Sequence, residues 1–243
     1  MRPLQHNQAQ VIFILLGVNV LFFFLQYLVS GFTELLILIP SLALSEPWRL
    51  FTSMFLHGSL GHIFFNMYAL ILFGPLIIQR IGTKRFLWAY FGSGLIASLA
   101  YVFYNLFITG SNTAALGASG AIMGILGLVI MLLPQLKVLF FFIVPMTMRT
   151  AGIIFALIDI FGLFNPASGI AHIAHLGGLA VGILYGLYLV RKRKDYAKVF
   201  VRERPTGTGA TSRAHNAAQK KKDDKTIELS KDDIDNYFKY GKL

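Results

Sequence analysis

Polar side chains inside long apolar runs are the residues of this chain that could do chemistry, because holding one in hydrocarbon is costly unless it has a partner or a task. Three groups stand out. Gly61-His62-Ile63-Phe64-Phe65-Asn66 sets His62 and Asn66 four residues apart, on one helical face. Leu116-Gly117-Ala118-Ser119-Gly120 places a serine among small residues, and Ala171-His172-Ile173-Ala174-His175-Leu176-Gly177-Gly178 carries two histidines ahead of a glycine pair. A serine within reach of a histidine is a nucleophile with its general base. Here Ser119 would attack a carbonyl and His175 would take and return its proton. His62, Asn66 and the backbone N–H groups of Ala118 and Ser119 would hold the oxyanion. Taken singly, each has a plainer reading: Ser119 as a helix N-cap, each histidine as a helix–helix hydrogen bond.

The elements that must position these residues are membrane spans. Of 243 residues, 56% are hydrophobic and only 14% charged, too apolar for an ordinary soluble domain. Seven of the 22 Lys and Arg and three of the 11 acids lie in residues 1–190, and all the others lie in 191–243. The net charge of +11 therefore belongs to a polar tail and gives no reason to expect nucleic acid as a partner. With no cysteine there is no disulfide framework, thiolate nucleophile or Cys-ligated metal, and redox compartment is not legible. Apolar runs long enough for a ~30 Å hydrocarbon layer can be drawn at 11–30, 61–79, 86–108, 119–133, 150–164 and 170–190. The expected fold is thus an all-α polytopic bundle of six transmembrane helices, with Val138 to Val144 as an interfacial segment. No small-residue cleavage site follows the first run, so it is expected to be a retained span.

Six spans put both termini on one side. With the N-terminus inside, 21 Lys and Arg fall on inner segments and only Arg49 falls outside, the asymmetry of a membrane protein with cytoplasmic termini. Spans two, four and six then run from outside to inside and their starts meet. Ser119 and His175 come out about 8 Å below the outer face, and Asn66 lies at about 9 Å, at ~1.5 Å per residue. Starting the fourth helix below the surface obliges 109–118 to dip in as irregular backbone, tolerated only against protein or a water-filled cavity. Gly120, Gly124 and Gly127 on the fourth helix, with Gly178, Gly182 and Gly186 on the sixth, would let the two backbones touch and bring serine to histidine.

These residues are where the chain resembles the rhomboid family of intramembrane serine proteases, in its basic six-span form, over about 11–190. The resemblance rests on Glu46-Pro47-Trp48-Arg49, on His62 with Asn66, on Gly117-Ala118-Ser119-Gly120 as the GxSG motif, and on His175 followed by Gly178 and Gly182. The glycine spacing selects His175 over His172, which is expected near the surface as a cavity or interface residue; His57 is expected as a loop or cavity group. The resemblance implies a Ser119–His175 dyad with no acid and no metal or organic cofactor. It implies cleavage of membrane-anchored proteins in or near their transmembrane segments, commonly beside small residues. It further implies a partly embedded loop around Trp48 and Arg49, which also suit an interfacial anchor, and a fifth helix that yields to substrate. Asp159 in the fifth span has a depth near that of His175 and invites a triad, but the dyad leaves it as a protonated or bundle-paired acid. The departure is Met123, one turn after Ser119, where many relatives have an aromatic residue against the histidine.

Residues 1–10 are expected as a cytoplasmic N-terminus, 11–190 as the catalytic membrane domain, and 191–243 as a basic, disordered cytoplasmic tail near anionic lipid. The tail could carry a short helix after Ser230 or dock a cytosolic partner. The plasma membrane is the expected location. Two other readings remain: a catalytically silent rhomboid-like protein that binds membrane clients, and a metal or ion transporter lined by His57, His62, His172 and His175.

Overall fold

The computed structural model describes residues 6–140, 143–165 and 170–201 of the chain. The chain divides into two units, Met1–Tyr188 and Leu189–Leu243, and the residues singled out above lie in the first. The expected helix after Ser230 lies outside the described residues.

Helices stand where the apolar runs predict them: α1 (His6–Leu28), α4 (Leu60–Ile81), α5 (Thr83–Tyr104), α6 (Ser119–Leu132), α7 (Met148–Gly162) and α8 (His172–Val201). Two short helices, α2 (Phe32–Leu36) and α3 (Arg49–Thr52), lie in the long first connection. Among the described residues, four helical stretches are long and apolar enough to cross a membrane: Gln10–Leu28, Leu60–Ile81, Thr83–Thr109 and His172–Lys192. Helix α6 is apolar but has 14 residues, and α7 has 15. Length and apolarity therefore support four of the six expected spans, α6 and α7 being shorter. The outer faces carry Phe13, Phe24, Phe64, Trp88, Phe103 and Leu184 in the open, as helices facing lipid require.

Helix α6 is the central element. Every residue from Gly120 to Val129 is buried. A Cβ at Gly178 or Gly182 of α8 would lie 2.0 Å from the carbonyl oxygen of Gly120 or Gly124, so only glycine allows this approach. The glycines of α6 turn two ways. Gly127 faces α8, where a Cβ would meet Leu179 O at 2.7 Å, whereas Gly120 and Gly124 face Ala97 and Ser93 of α5.

Two connections carry structure that the apolar runs do not specify. The segment expected at the interface is a β-hairpin, β1 (Lys137–Phe140) against β2 (Val144–Thr147), in the register Lys137 to Thr147 and Phe140 to Val144. A backbone leaving a short helix near hydrocarbon must pair its own N–H and C=O groups, and antiparallel strands do so locally. The hairpin closes where Met148 N–H donates to Leu136 O at 2.8 Å. Arg49, expected as an interfacial anchor, is buried instead. Its Nη1 donates to the carbonyls of Glu34 (2.6 Å) and Ile37 (2.8 Å), and its Nε donates to Glu46. The cation thus satisfies the loop's own acceptors and clamps α2 to α3. Trp48 stays half-exposed, its indole N–H donating to Leu35 O.

Candidate active site

Ser119 opens α6, following a descent of irregular backbone that the first connection holds in place. Leu38 and Ala115 exchange N–H···O bonds of 3.1 and 2.9 Å, Gly117 N–H donates to Ser53 O at 2.9 Å, and Tyr101 OH donates to Thr113 O at 3.1 Å. These bonds pair part of the dipping backbone with protein groups. Gly117 must be glycine: its φ of 127° is closed to L side chains, and a Cβ there would strike the His62 ring at 2.8 Å. Among the described residues no side chain caps the start of α6, which leaves the positive end of the helix directed at the site.

From α8, His175 Nε2 comes within 2.8 Å of Ser119 Oγ, joining residues 56 apart in sequence. The other ring nitrogen, Nδ1, lies 3.0 Å from Asp159 Oδ1 of α7, and His172 Nδ1 lies 2.8 Å from the same oxygen. The sequence reading left Asp159 outside the constellation; the fold brings its carboxylate onto His175. His172 also differs from expectation, buried against Asp159 with its ring over Gly162 rather than near the surface. A fifteen-residue α7 ending at Gly162 delivers Asp159 to the depth of α8's first turn, a meeting that depends on the rotation of two helices.

The opposite wall comes from α4. Ser59 caps the helix, its Oγ accepting from His62 N–H at 3.1 Å, which fixes where the His62 ring begins. The Ser59-to-His62 spacing ahead of an apolar run is a readable cap signal that the catalytic motifs overshadow. Gly58 N–H approaches His62 Nδ1 at 3.4 Å, an arrangement that leaves the proton on Nε2, the nitrogen facing Gly117. Asn66 Nδ2 donates one hydrogen to His62 O at 2.9 Å and keeps a second N–H. Ala118 is buried in the turn before Ser119, and Met123 is buried one turn beyond.

His57 lies before α4 with its ring 5.0 Å from that of His62, edge to face. It is 2% exposed, and neither ring nitrogen has a hydrogen-bond partner among the described residues. Burial, with His62 beside it, pushes its imidazole from the usual 6.5 down to about 4. His57 thus pairs with His62, and His172 with His175. Among the described residues, Asp159, His172 and His175 are the group with ligand atoms close enough to hold a metal, all within 4.8 Å. A metal there would take the Nδ1 lone pair of His175 and force its proton onto Nε2, the nitrogen that faces Ser119. A small cavity adjoins Ser119, lined by Gly94, Ala97, Ser98, Ala171 and Ala174.

Comparison with known proteins agrees with the resemblance. The family model for the Rhomboid domain matches residues 44–192. The chain is 32% identical over 190 residues to "Rhomboid protein 1, mitochondrial" of Saccharomyces cerevisiae, covering 75% of this chain and 54% of that protein. It is 32% identical over 174 residues to "Presenilin-associated rhomboid-like protein, mitochondrial" of Homo sapiens, covering 69% of this chain and 45% of that one. With "RHOMBOID-like protein 12, mitochondrial" of Arabidopsis thaliana it shares 32% over 148 residues, 56% of this chain and 44% of that protein. The chain thus spans about half the length of these relatives. Their names place them in mitochondria, which overturns the expected plasma-membrane location; the multi-pass membrane character stands.

Proposed function

The chain belongs to the rhomboid family, and on that premise we propose that it is an intramembrane serine endopeptidase that hydrolyses peptide bonds in or near transmembrane segments. Residues 11–190 form the catalytic domain, with α1, α4, α5, α6, α7 and α8 as its six spans, and 191–243 form an appended tail. The 2.8 Å approach of His175 Nε2 to Ser119 Oγ carries this reading, since it gives a weak nucleophile its base inside an apolar bundle.

The reaction follows from the residues in hand. Ser119 Oγ attacks the scissile carbonyl while its proton passes to His175 Nε2. Charge develops on the carbonyl oxygen, and the His62 Nε2–H, the second Asn66 N–H and the backbone N–H groups of Ser119 and Ala118 are the donors that meet it. The imidazolium returns its proton to the leaving amine, and a water activated by the same nitrogen releases the acyl group. The cavity beside Ser119, where Gly94, Ala97, Ser98, Ala171 and Ala174 meet the larger Leu38, Met54, Tyr101 and Leu116, suits a small substrate side chain, and a glycine or serine there also weakens the helix to be opened.

The test is cleavage of a reporter with one helix-destabilised transmembrane segment, in liposomes, by the native chain, Ser119→Ala and His175→Ala. Cleavage by the native chain alone is the expected result. A native chain that binds such segments without cutting them would instead make it a client-binding member of the family.

A further inference from the structure

We infer that Asp159 is a positioning residue for the base, so that this protease works as a Ser119–His175–Asp159 relay with His172 anchoring the carboxylate; the inference rests on the serine-protease reading above. A histidine acts as general base through Nε2 only when its proton sits on Nδ1. In this chain the Nδ1 of His175 faces Asp159 Oδ1 at 3.0 Å while Nε2 faces Ser119 at 2.8 Å. A carboxylate accepts and cannot donate when ionised, so its oxygen at Nδ1 selects the tautomer whose Nε2 lone pair is open to the serine proton. The same oxygen opposes the positive charge that the imidazole gains as Ser119 attacks.

The carboxylate is itself held. His172, on the same helix as His175, approaches Asp159 Oδ1 at 2.8 Å, so the side chain is fixed between two rings of one helix. Rotating Asp159 away from His175 would break both contacts at once. Asp159 is 4% exposed, so water competes weakly for the oxygen. Because Ser119 and Asp159 meet different nitrogens of the same ring, the carboxylate acts on the serine only through His175.

Steady-state cleavage of the same reporter by the full chain in detergent tests this, comparing the native chain with Asp159→Asn, His172→Ala, Ser119→Ala and His175→Ala. Asn presents an N–H₂ group that favours the wrong tautomer, so Asp159→Asn is expected to lower kcat by roughly 10³- to 10⁴-fold with KM within about threefold. His172→Ala, which frees the carboxylate without removing it, is expected to cost roughly tenfold in kcat. Asp159→Asn with kcat within about threefold of native, while Ser119→Ala and His175→Ala are inactive, overturns the inference and leaves the dyad standing. Cleavage persisting in Ser119→Ala and His175→Ala overturns the protease reading itself. Should Asp159→Asn fail to fold, ¹⁵N shifts of His175 in the native chain decide, assigned by difference from His175→Ala. A protonated Nδ1 with a bare Nε2 supports the relay, and a protonated Nε2 overturns it.

Discussion

Helices α6 and α7 each deliver one side chain to His175, and they are held by opposite means. Helix α6 is buried from Gly120 to Val129 and pressed backbone to backbone against α8 through Gly178 and Gly182. Helix α7 buries only Met148, Ala151, Gly152 and Asp159, and turns Ile153, Leu157, Ile160 and Phe161 outward. Ser119 is thus placed by a close backbone-to-backbone contact, whereas Asp159 reaches the site from a helix whose grip is partly polar. The two supports teach that the nucleophile and its base are a fixed pair, while the carboxylate is joined to them only as long as α7 stays docked. A substrate that displaced α7 would carry Asp159 away from His175 and leave the Ser119 contact untouched.

The sharpest way to break the comparison is to put a side chain between α6 and α8. Gly178→Leu sets a Cβ 2.0 Å from Gly120 O, a backbone atom that cannot yield alone, and is expected to cost more than about 4 kcal/mol and abolish the folded protein in detergent. Thermal unfolding checks it, and a fully folded Gly178→Leu would mean that the helices are not in backbone contact. Next in size, Asn66→Ala on the facing wall should lower kcat roughly 10²- to 10³-fold in the reporter assay without loss of fold, because it removes one oxyanion donor.

Acid tests the same tight wall. His57 is neutral in the folded protein because its pKa is pushed down to about 4, whereas the unfolded chain takes up the proton near 6.5. Between those values the unfolded state binds more protons, so stability is complete above pH 6.5, falls on acidification and stops falling from this group below about 4. The loss is on the order of 3 kcal/mol, and His57→Phe should flatten that slope in unfolding measured from pH 7 to 4.

The rim should be more forgiving. A Cβ at Gly152 of α7 would meet the end of the Ile130 side chain at 2.3 Å, a group that can rotate away. Gly152→Ala is therefore expected to cost about 1–2 kcal/mol, well below Gly178→Leu on the same unfolding assay. Smallest of all, Ile153→Val on the exposed face of α7 should change stability by about 0.5 kcal/mol or less.

The same contrast sets how far the sequence could be read. Ser119, His175, His62 and Asn66 are legible because each follows from spacing along one helix, and Gly178 with Gly182 marks the approach of α8 without any structure, whereas the turning of Gly120 and Gly124 toward α5 is not legible. Asp159 is not legible as a partner. Its contact depends on the rotation of α7 against α8, and one acid in an apolar run gives the same sequence signal whether it is paired, protonated or part of a relay. Arg49 misled for a related reason, since a lone cation in an outer loop suits a headgroup as well as it suits the buried carbonyls of Glu34 and Ile37. The hairpin at 137–147 escaped because a seven-residue apolar piece ahead of Pro145 lacks a period long enough to separate strand from surface helix.

The central claim, that Ser119 is a nucleophile activated by His175, is tested most directly by a fluorophosphonate probe applied to the full chain in detergent, with the adduct located by mass spectrometry. A single adduct on Ser119, nearly abolished in His175→Ala, is the predicted result. An adduct on another residue, or undiminished labelling in His175→Ala, would contradict it.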